Sequence, residues 1–94
     1  MVLLDLMGRR WTLRILWELR GGDRQTFRAL QQNCDGPSPT IVNTRLKELQ
    51  AAGLIDHVSG KGYGLTGLGQ ELLDLILPLH TWADRWAETV DRVG

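Results

Sequence analysis

The sequence predicts a mainly α-helical fold with one small β-hairpin, an α+β arrangement. Residues 26–53 carry the pattern of two helices joined by a short turn. Residues 54–65 have the pattern of two short strands around a glycine-rich turn, and residues 67–92 that of one long helix. A helix pair followed by a hairpin is the plan of a winged helix-turn-helix, so we assign residues 1–94 to a single domain of this kind.

The second helix of the pair is the best-specified element. Ser38 can cap it, Pro39 suits its first turn because a missing N–H costs nothing there, and Gly53 marks its end. At about 100° per residue, its side chains divide into two groups. The apolar group consists of Val42, Leu46 and Leu49. The opposite, polar group consists of Thr40, Asn43, Thr44 and Lys47.

The polar group has the chemistry that a DNA groove requires. Asn can form two hydrogen bonds with an adenine edge, Thr can bond to a base or pack on a thymine methyl, and Lys supplies positive charge near phosphate. A solvated surface helix would show the same pattern, so neighbouring segments must decide between the two interpretations. Arg45 borders the apolar side and could instead pair with an acid. The candidates for DNA contact are Ser38, Pro39, Thr40, Asn43, Thr44, Arg45, Lys47, Arg28 and Lys61.

The formal net charge is zero, but it is unevenly distributed along the chain. Residues 1–62 hold nine Arg or Lys and six Asp or Glu, a balance of +3, whereas residues 63–94 have a balance of −3. Local charge rather than total charge sets the attraction to phosphate. The division therefore indicates a binding half and a non-binding half.

Residues 11–34, which precede the turn between the two paired helices, predict a helical core. A strongly apolar helix is expected over residues 11–19, with Trp11 and Trp17 as packing residues. The inward residues of the next helix are predicted to be Phe27, Leu30 and Cys34. A lone cysteine on an apolar side is more often a small core residue than a redox sensor.

Gly60 and Gly62 flank Lys61 at the predicted tip of the hairpin. Small residues at this place would allow close approach to a phosphate backbone, although they also describe an ordinary hairpin tip. His57 is expected at the surface rather than as a ligand.

The long C-terminal helix predicts a contact between subunits. Thr66 should cap it, and Pro78 should kink it because the proline nitrogen has no hydrogen to donate. Its apolar residues recur at a mean of about 3.5 positions, the period that keeps one seam facing a partner helix. A small domain cannot cover so much apolar surface, so a second copy is the predicted cover. The predicted interface consists of Leu72, Ile76, Leu79, Trp82, Ala83, Trp86 and Val90.

Several classes of protein are disfavoured. No run of about 18 apolar residues could span a membrane, and residues 1–7 lack the features of a signal peptide. A single cysteine cannot form an intramolecular disulfide, which fits a cytoplasmic protein. No Ser, Cys or His spacing matches a nucleophile–base pair or a metal motif, and no glycine loop follows a strand to hold phosphate. We therefore expect no catalytic residue, metal or cofactor.

The order of several motifs resembles that of the HxlR-type bacterial transcription regulators, relatives of the MarR group. The resemblance rests on GRRWTLRILWEL at 8–19, TFRALQQ at 26–32, SPTIVNTRLKELQAAGLI at 38–55 and YGLTGLGQELL at 63–73. It covers about residues 3–86. It implies a dimeric winged-helix protein that contacts DNA through residues 38–47 and forms its dimer through the terminal helices.

The sequence departs from this family in two respects. Members that sense quinones, aldehydes or oxidants usually carry a cysteine just before the first helix, a position that falls ahead of Met1, and Cys34 does not take its place. We therefore expect diamide or quinone to leave DNA affinity unchanged. The predicted hairpin is also shorter than is usual and carries only Lys61 at its tip.

The sequence is compatible with three functions. The first is a sequence-specific regulator that binds double-stranded DNA at an inverted repeat as a homodimer. The second is a winged-helix module that contacts only other proteins, and the third is an enzyme. Binding to random duplex DNA across salt concentrations would separate the first from the second. The sequence names no operator, regulated gene or small-molecule effector.

Overall fold

The computed structural model describes residues 2–93 of the chain. Over that range the order of elements is α1 (Val2–Met7), α2 (Thr12–Glu18), α3 (Phe27–Cys34), α4 (Pro39–Ala51), β1 (Ile55–Val58), β2 (Gly62–Leu65) and α5 (Gly67–Val93). A short 3-10 turn, Arg20–Gly22, follows α2. The predicted fold class, mainly α with one antiparallel hairpin, is confirmed. None of the described helices is long and apolar enough to cross a membrane.

The core lies between α2, α3, α4 and the beginning of β1. Its most deeply buried apolar side chains are Ile15, Leu16, Leu19, Leu30, Cys34, Val42, Leu46, Leu49 and Ile55. Each large aliphatic side chain in such a core contributes about 1.5–3 kcal/mol of transfer free energy. Three of these residues are the predicted apolar side of α4, so this cluster fixes the rotation of α4 about its own axis.

The helix α2 begins one residue later than the sequence predicted. Trp11 has a φ of 76°, outside the helical range, and occupies the N-cap position of α2. Its half-buried ring lies over the turn between α3 and α4, 3.5 Å from where a methyl group at Gly36 would stand. Thr12, the first residue of α2, is fully buried, and its hydroxyl has no hydrogen-bond partner among the described residues.

Three hydroxyl side chains fix the starts of the three longest helices. Thr26, Ser38 and Thr66 precede α3, α4 and α5, and each hydroxyl oxygen accepts a hydrogen bond from the backbone N–H three residues on, at 3.1, 3.2 and 3.1 Å. The predicted caps at Ser38 and Thr66 are therefore confirmed. Thr66 also donates its hydroxyl hydrogen to the Gly53 carbonyl oxygen at 2.6 Å, which joins the end of α4 to the start of α5.

The hairpin is fastened to the segment that precedes α3. Tyr63 and Gln25 exchange two backbone hydrogen bonds of 2.9 and 2.7 Å. Gly62 has a φ of 97°, and a Cβ there would lie 2.4 Å from the Gln25 carbonyl oxygen. Gly62 is therefore required by packing within the protein, which differs from the role in phosphate approach that its place at the tip suggested. Gly60 has a φ of 80° and open space around it, so it remains available for such an approach.

The C-terminal helix α5 leaves the core halfway along its length. Leu73 is buried, but from Leu77 to Asp91 every residue is exposed except the half-buried Ala83. The helix continues through Pro78, and the predicted kink there stays a prediction. The projecting half of α5 makes the molecule elongated, with extents of 49 × 26 × 26 Å.

Candidate nucleic-acid interface

The polar side of α4 faces solvent. Thr40, Asn43, Thr44 and Lys47 are all exposed, and the residues on the opposite side of the helix have no exposed surface. Asn43 keeps its full hydrogen-bonding capacity because none of the hydrogen bonds found in the described residues uses its side chain. The arrangement offers an amide, hydroxyls and one cation on a helix that the core holds in a fixed orientation.

Two of the hydroxyl groups are partly engaged within the protein. Thr44 donates its hydroxyl hydrogen to the Thr40 carbonyl oxygen at 2.9 Å, which leaves its oxygen lone pairs and its methyl group for a ligand. The Ser38 oxygen accepts the N-cap bond and can still donate its hydrogen. Pro39, at the first helical position, is exposed beside it.

The four candidate cations differ in their surroundings. Arg28 on α3, Lys47 on α4 and Lys61 in the loop of the hairpin are exposed. Arg45 is not, because only 19% of its side chain is exposed and its guanidinium bonds to Glu48 and to the Arg10 carbonyl oxygen. The structure thus gives Arg45 the acidic partner that the sequence had left open as an alternative.

Arg24 belongs to no motif in the sequence, yet it contacts both strands of the hairpin. Its Nη1 donates a hydrogen bond to the Gly62 carbonyl oxygen at 3.1 Å. Its Nη2 forms an ion pair with Asp56, 2.7 Å from Oδ1. Arg24 therefore supports both strands of the hairpin from the segment before α3. No local sequence signal identifies such a pairing, because the three residues are brought together only when the chain folds.

The apolar side of α5 is open over its projecting half. Leu79, Trp82, Trp86 and Val90 are 58%, 48%, 55% and 49% exposed. The rings of Trp82 and Trp86 stack with 6.4 Å between centroids and an angle of 14° between their planes. The remaining members of the predicted interface, Leu72, Ile76 and Ala83, are half-buried. A contiguous exposed patch of this kind on a small domain is typical of a contact surface.

A groove of about 400 Å³ runs between α2 and α5. Apolar side chains from both helices line most of it, and Trp17 and His80 approach each other across it with 4.9 Å between ring centroids. Arg20 lies over the Trp17 ring, 4.2 Å from its centroid. His80 and His57 are both exposed, and among the described residues no group of His, Cys, Asp and Glu is arranged to hold a metal.

Cys34 is a core residue, as the sequence predicted. Burial raises the pKa of its thiol, the nearby Glu18 carboxylate raises it further, and Arg14 opposes these effects. Because the thiolate is the reactive form, we expect iodoacetamide at pH 8 to modify the folded protein more than about tenfold more slowly than the urea-unfolded chain. The rate in the folded protein should rise as the pH approaches the raised pKa. Equal rates in both states, followed by mass spectrometry, would contradict this burial.

Together, these features define the class of protein. The chain has a capped helix pair whose second helix exposes a polar side, and a hairpin and a long helix follow it. This is a winged helix-turn-helix of the kind found in DNA-binding transcription regulators. Within that class the chain belongs to the HxlR-like helix-turn-helix family, whose model matches residues 6–91.

Individual relatives agree with this assignment. An uncharacterized HTH-type transcriptional regulator of Mycobacterium tuberculosis is 38% identical over 89 residues, which is 88% of this chain and 55% of that protein. The chain thus spans about half the length of this curated relative. A possible HxlR family transcriptional factor from Thermoplasma volcanium superposes with a TM-score of 0.81 at 31% identity, covering 90% of this chain and 81% of that one. Quinone-bound YodB from Bacillus subtilis also superposes with a TM-score of 0.81, at 26% identity, covering 89% of this chain and 92% of that one.

Proposed function

We propose that this chain is a sequence-specific transcription regulator that binds an inverted-repeat operator as a homodimer. The observation that carries the proposal is the exposed polar side of α4, which is held outward by fully buried residues on its opposite side. The family and its named relatives support the choice of DNA as the ligand.

The geometry of α4 supports separate roles for its exposed residues. The proposed contacts with base edges are Ser38, Thr40, Asn43 and Thr44. The proposed contacts with phosphate are Arg28, Lys47 and Lys61, and Pro39 shapes the first turn. We leave Arg45 out of the phosphate set because its Nε and Nη1 atoms already donate to partners within the protein and its side chain is only 19% exposed.

Dimer formation would bring two copies of α4 to neighbouring turns of the same groove. The exposed stripe of α5 is the proposed contact, together with α1, where Val2 and Leu4 are 87% and 62% exposed. A two-fold dimer of this class places its two half-sites about 34 Å apart, one turn of DNA. The proposed operator is therefore an inverted repeat.

The proposal also covers where the protein works and what regulates it. A regulator of bacterial chromosomal DNA works in the cytoplasm and needs no catalytic site. Because YodB of Bacillus subtilis has been solved with bound quinone, we include a small-molecule effector of unassigned chemistry in the proposal.

Two variants test the proposed roles. Asn43→Ala should weaken binding to an operator, isolated by selection from random DNA, by about 1–3 kcal/mol, because one base edge loses its partner. Lys47→Ala should weaken all sequences alike and lower the magnitude of the slope of log affinity against log salt by about one. Fluorescence anisotropy on the operator and on random duplex measures both effects.

The two variants serve as controls for each other. An equal loss for Asn43→Ala on the operator and on random duplex would show that Asn43 does not select a base. If the unaltered protein binds neither DNA even at low salt, the module for protein contacts becomes the better account.

A further inference from the structure

A cluster of three charged side chains joins α4 to the turn between α1 and α2. The two carboxylate oxygens of Glu48 accept hydrogen bonds from different arginines, Oε1 from Arg45 and Oε2 from Arg9. Arg45 Nε also donates to the Arg10 carbonyl oxygen at 2.8 Å. One carboxylate therefore holds two guanidinium groups that come from separate segments of the chain.

The cluster borders the surface that we assign to DNA. At about 100° per residue, Glu48 stands about 40° around the helix axis from Thr44, and Arg45 about 60° further toward the buried side. The side chains of Glu48 and Arg9 are 20% and 51% exposed, so solvent reaches the cluster. Glu48 thus lies between the proposed base contacts and Arg45, and it also binds Arg9.

We propose that Glu48 limits the non-specific DNA affinity of this protein by masking Arg9 and Arg45. Its carboxylate offsets one of the two positive charges, holds both guanidinium groups by hydrogen bonds and itself repels phosphate. Loss of that charge would release cations toward the DNA backbone. The proposal rests on the proposed DNA-binding function and concerns the phosphate contribution that all sequences share.

The variant Glu48→Gln tests this masking with random-sequence duplex DNA as the probe. Gln is close to Glu in size, so the packing is retained while the charge is lost. Asp5, Arg9 and Glu48 line one surface groove beside α1, so Asp5 can pair with Arg9 once Glu48 has lost its charge. We therefore expect one additional phosphate contact rather than two. The magnitude of the salt slope should rise by about one, and affinity near 0.1 M salt should rise about five- to tenfold.

A matched variant separates masking from net charge. Glu88→Gln removes the same charge from an exposed position on the projecting half of α5. It should change the salt slope by less than about half a unit, because Glu88 lies outside the cluster and salt near 0.1 M screens an exposed charge beyond about 10 Å. An equal rise for both variants would show that net charge alone sets the affinity and would overturn the masking.

The variant Arg9→Gln gives an independent test that does not depend on how Glu48→Gln folds. Because Glu48 already holds Arg9, removing Arg9 should leave the salt slope on random duplex nearly unchanged. A fall of about one in its magnitude would mean that Arg9 neutralises phosphate in the unaltered protein, and masking would be wrong.

The remaining outcomes are also decisive. If Glu48→Gln keeps its helical circular dichroism but binds more weakly or with an unchanged slope, Glu48 only supports the structure and the masking is overturned. If the unaltered protein fails to bind random duplex at low salt, the proposed function fails and the masking fails with it. Normal binding by the unaltered protein with no increase in Glu48→Gln rejects the masking alone.

Discussion

Trp86→Asp is expected to produce a folded monomer whose operator affinity collapses. Trp86 lies on the exposed stripe of α5, with 55% of its surface open, and its aromatic neighbour is Trp82 on the same helix. The substitution therefore removes little packing from its own subunit. At a subunit contact, however, each of two symmetric copies would bury a carboxylate without a partner. The dissociation constant of the dimer should rise by more than about 100-fold.

Loss of the dimer should affect specific binding more than non-specific binding. One half-site no longer recruits the other, so the gain from binding two linked sites disappears. Each monomer keeps the cations of its own helix pair and therefore keeps much of its affinity for random duplex. Sedimentation velocity and gel-shift assays on the same samples measure the two effects together.

Thr81→Asp is the matched control for this prediction. Thr81 is exposed on α5 at nearly the opposite side from the stripe, so the same carboxylate should leave the dimer intact. A Trp86→Asp protein that stays dimeric would exclude the stripe as the subunit contact. A monomeric variant that binds the full operator with undiminished affinity would remove dimer formation from the mechanism.

Gly62→Ala is expected to cost about 3 kcal/mol or more of folding stability. An alanine there must adopt a φ of 97°, and its Cβ would overlap the Gln25 carbonyl oxygen, 2.4 Å away. Either the hairpin or the segment before α3 has to move, and the two backbone hydrogen bonds between Gln25 and Tyr63 would be strained. Thermal unfolding should show a fall in Tm of about 12 °C or more.

Gly60→Ala in the same hairpin is the control, because it introduces the strain of a positive φ without an overlap of its Cβ with another atom. Gly60 also has a positive φ, 80°, but nothing stands within 4 Å of the position of its missing Cβ. It should cost only about 1 kcal/mol, the penalty of the left-handed conformation. Equal losses of stability for the two variants would mean that the contact with Gln25 is not a constraint.

The structure agrees with the sequence most closely where the information is local. The caps at Ser38 and Thr66 and the buried side of α4 follow from residue types at fixed spacings, and they form as predicted. The start of α2 differs by one residue because Trp11 has a left-handed φ of 76°, and its ring packs against Gly36 in a turn 25 residues away. Gly62 likewise has a role that depends on Gln25, far away in the sequence.

The sequence by itself determined the plan of this protein: a helix pair, a hairpin, a long helix with an apolar stripe, and a polar side on α4. Local periodicity and capping specify these features because they depend on residues within one or two turns of each other. Only the tertiary structure decided which cations are held within the protein and which are exposed to solvent. Arg45 and Lys47 are two residues apart in the same helix, yet Arg45 meets Glu48 and the Arg10 carbonyl oxygen while Lys47 stays exposed. Glu48 is only three residues from Arg45 in the same helix, a spacing that the sequence contains, but the Arg10 carbonyl oxygen reaches α4 only when the whole chain folds.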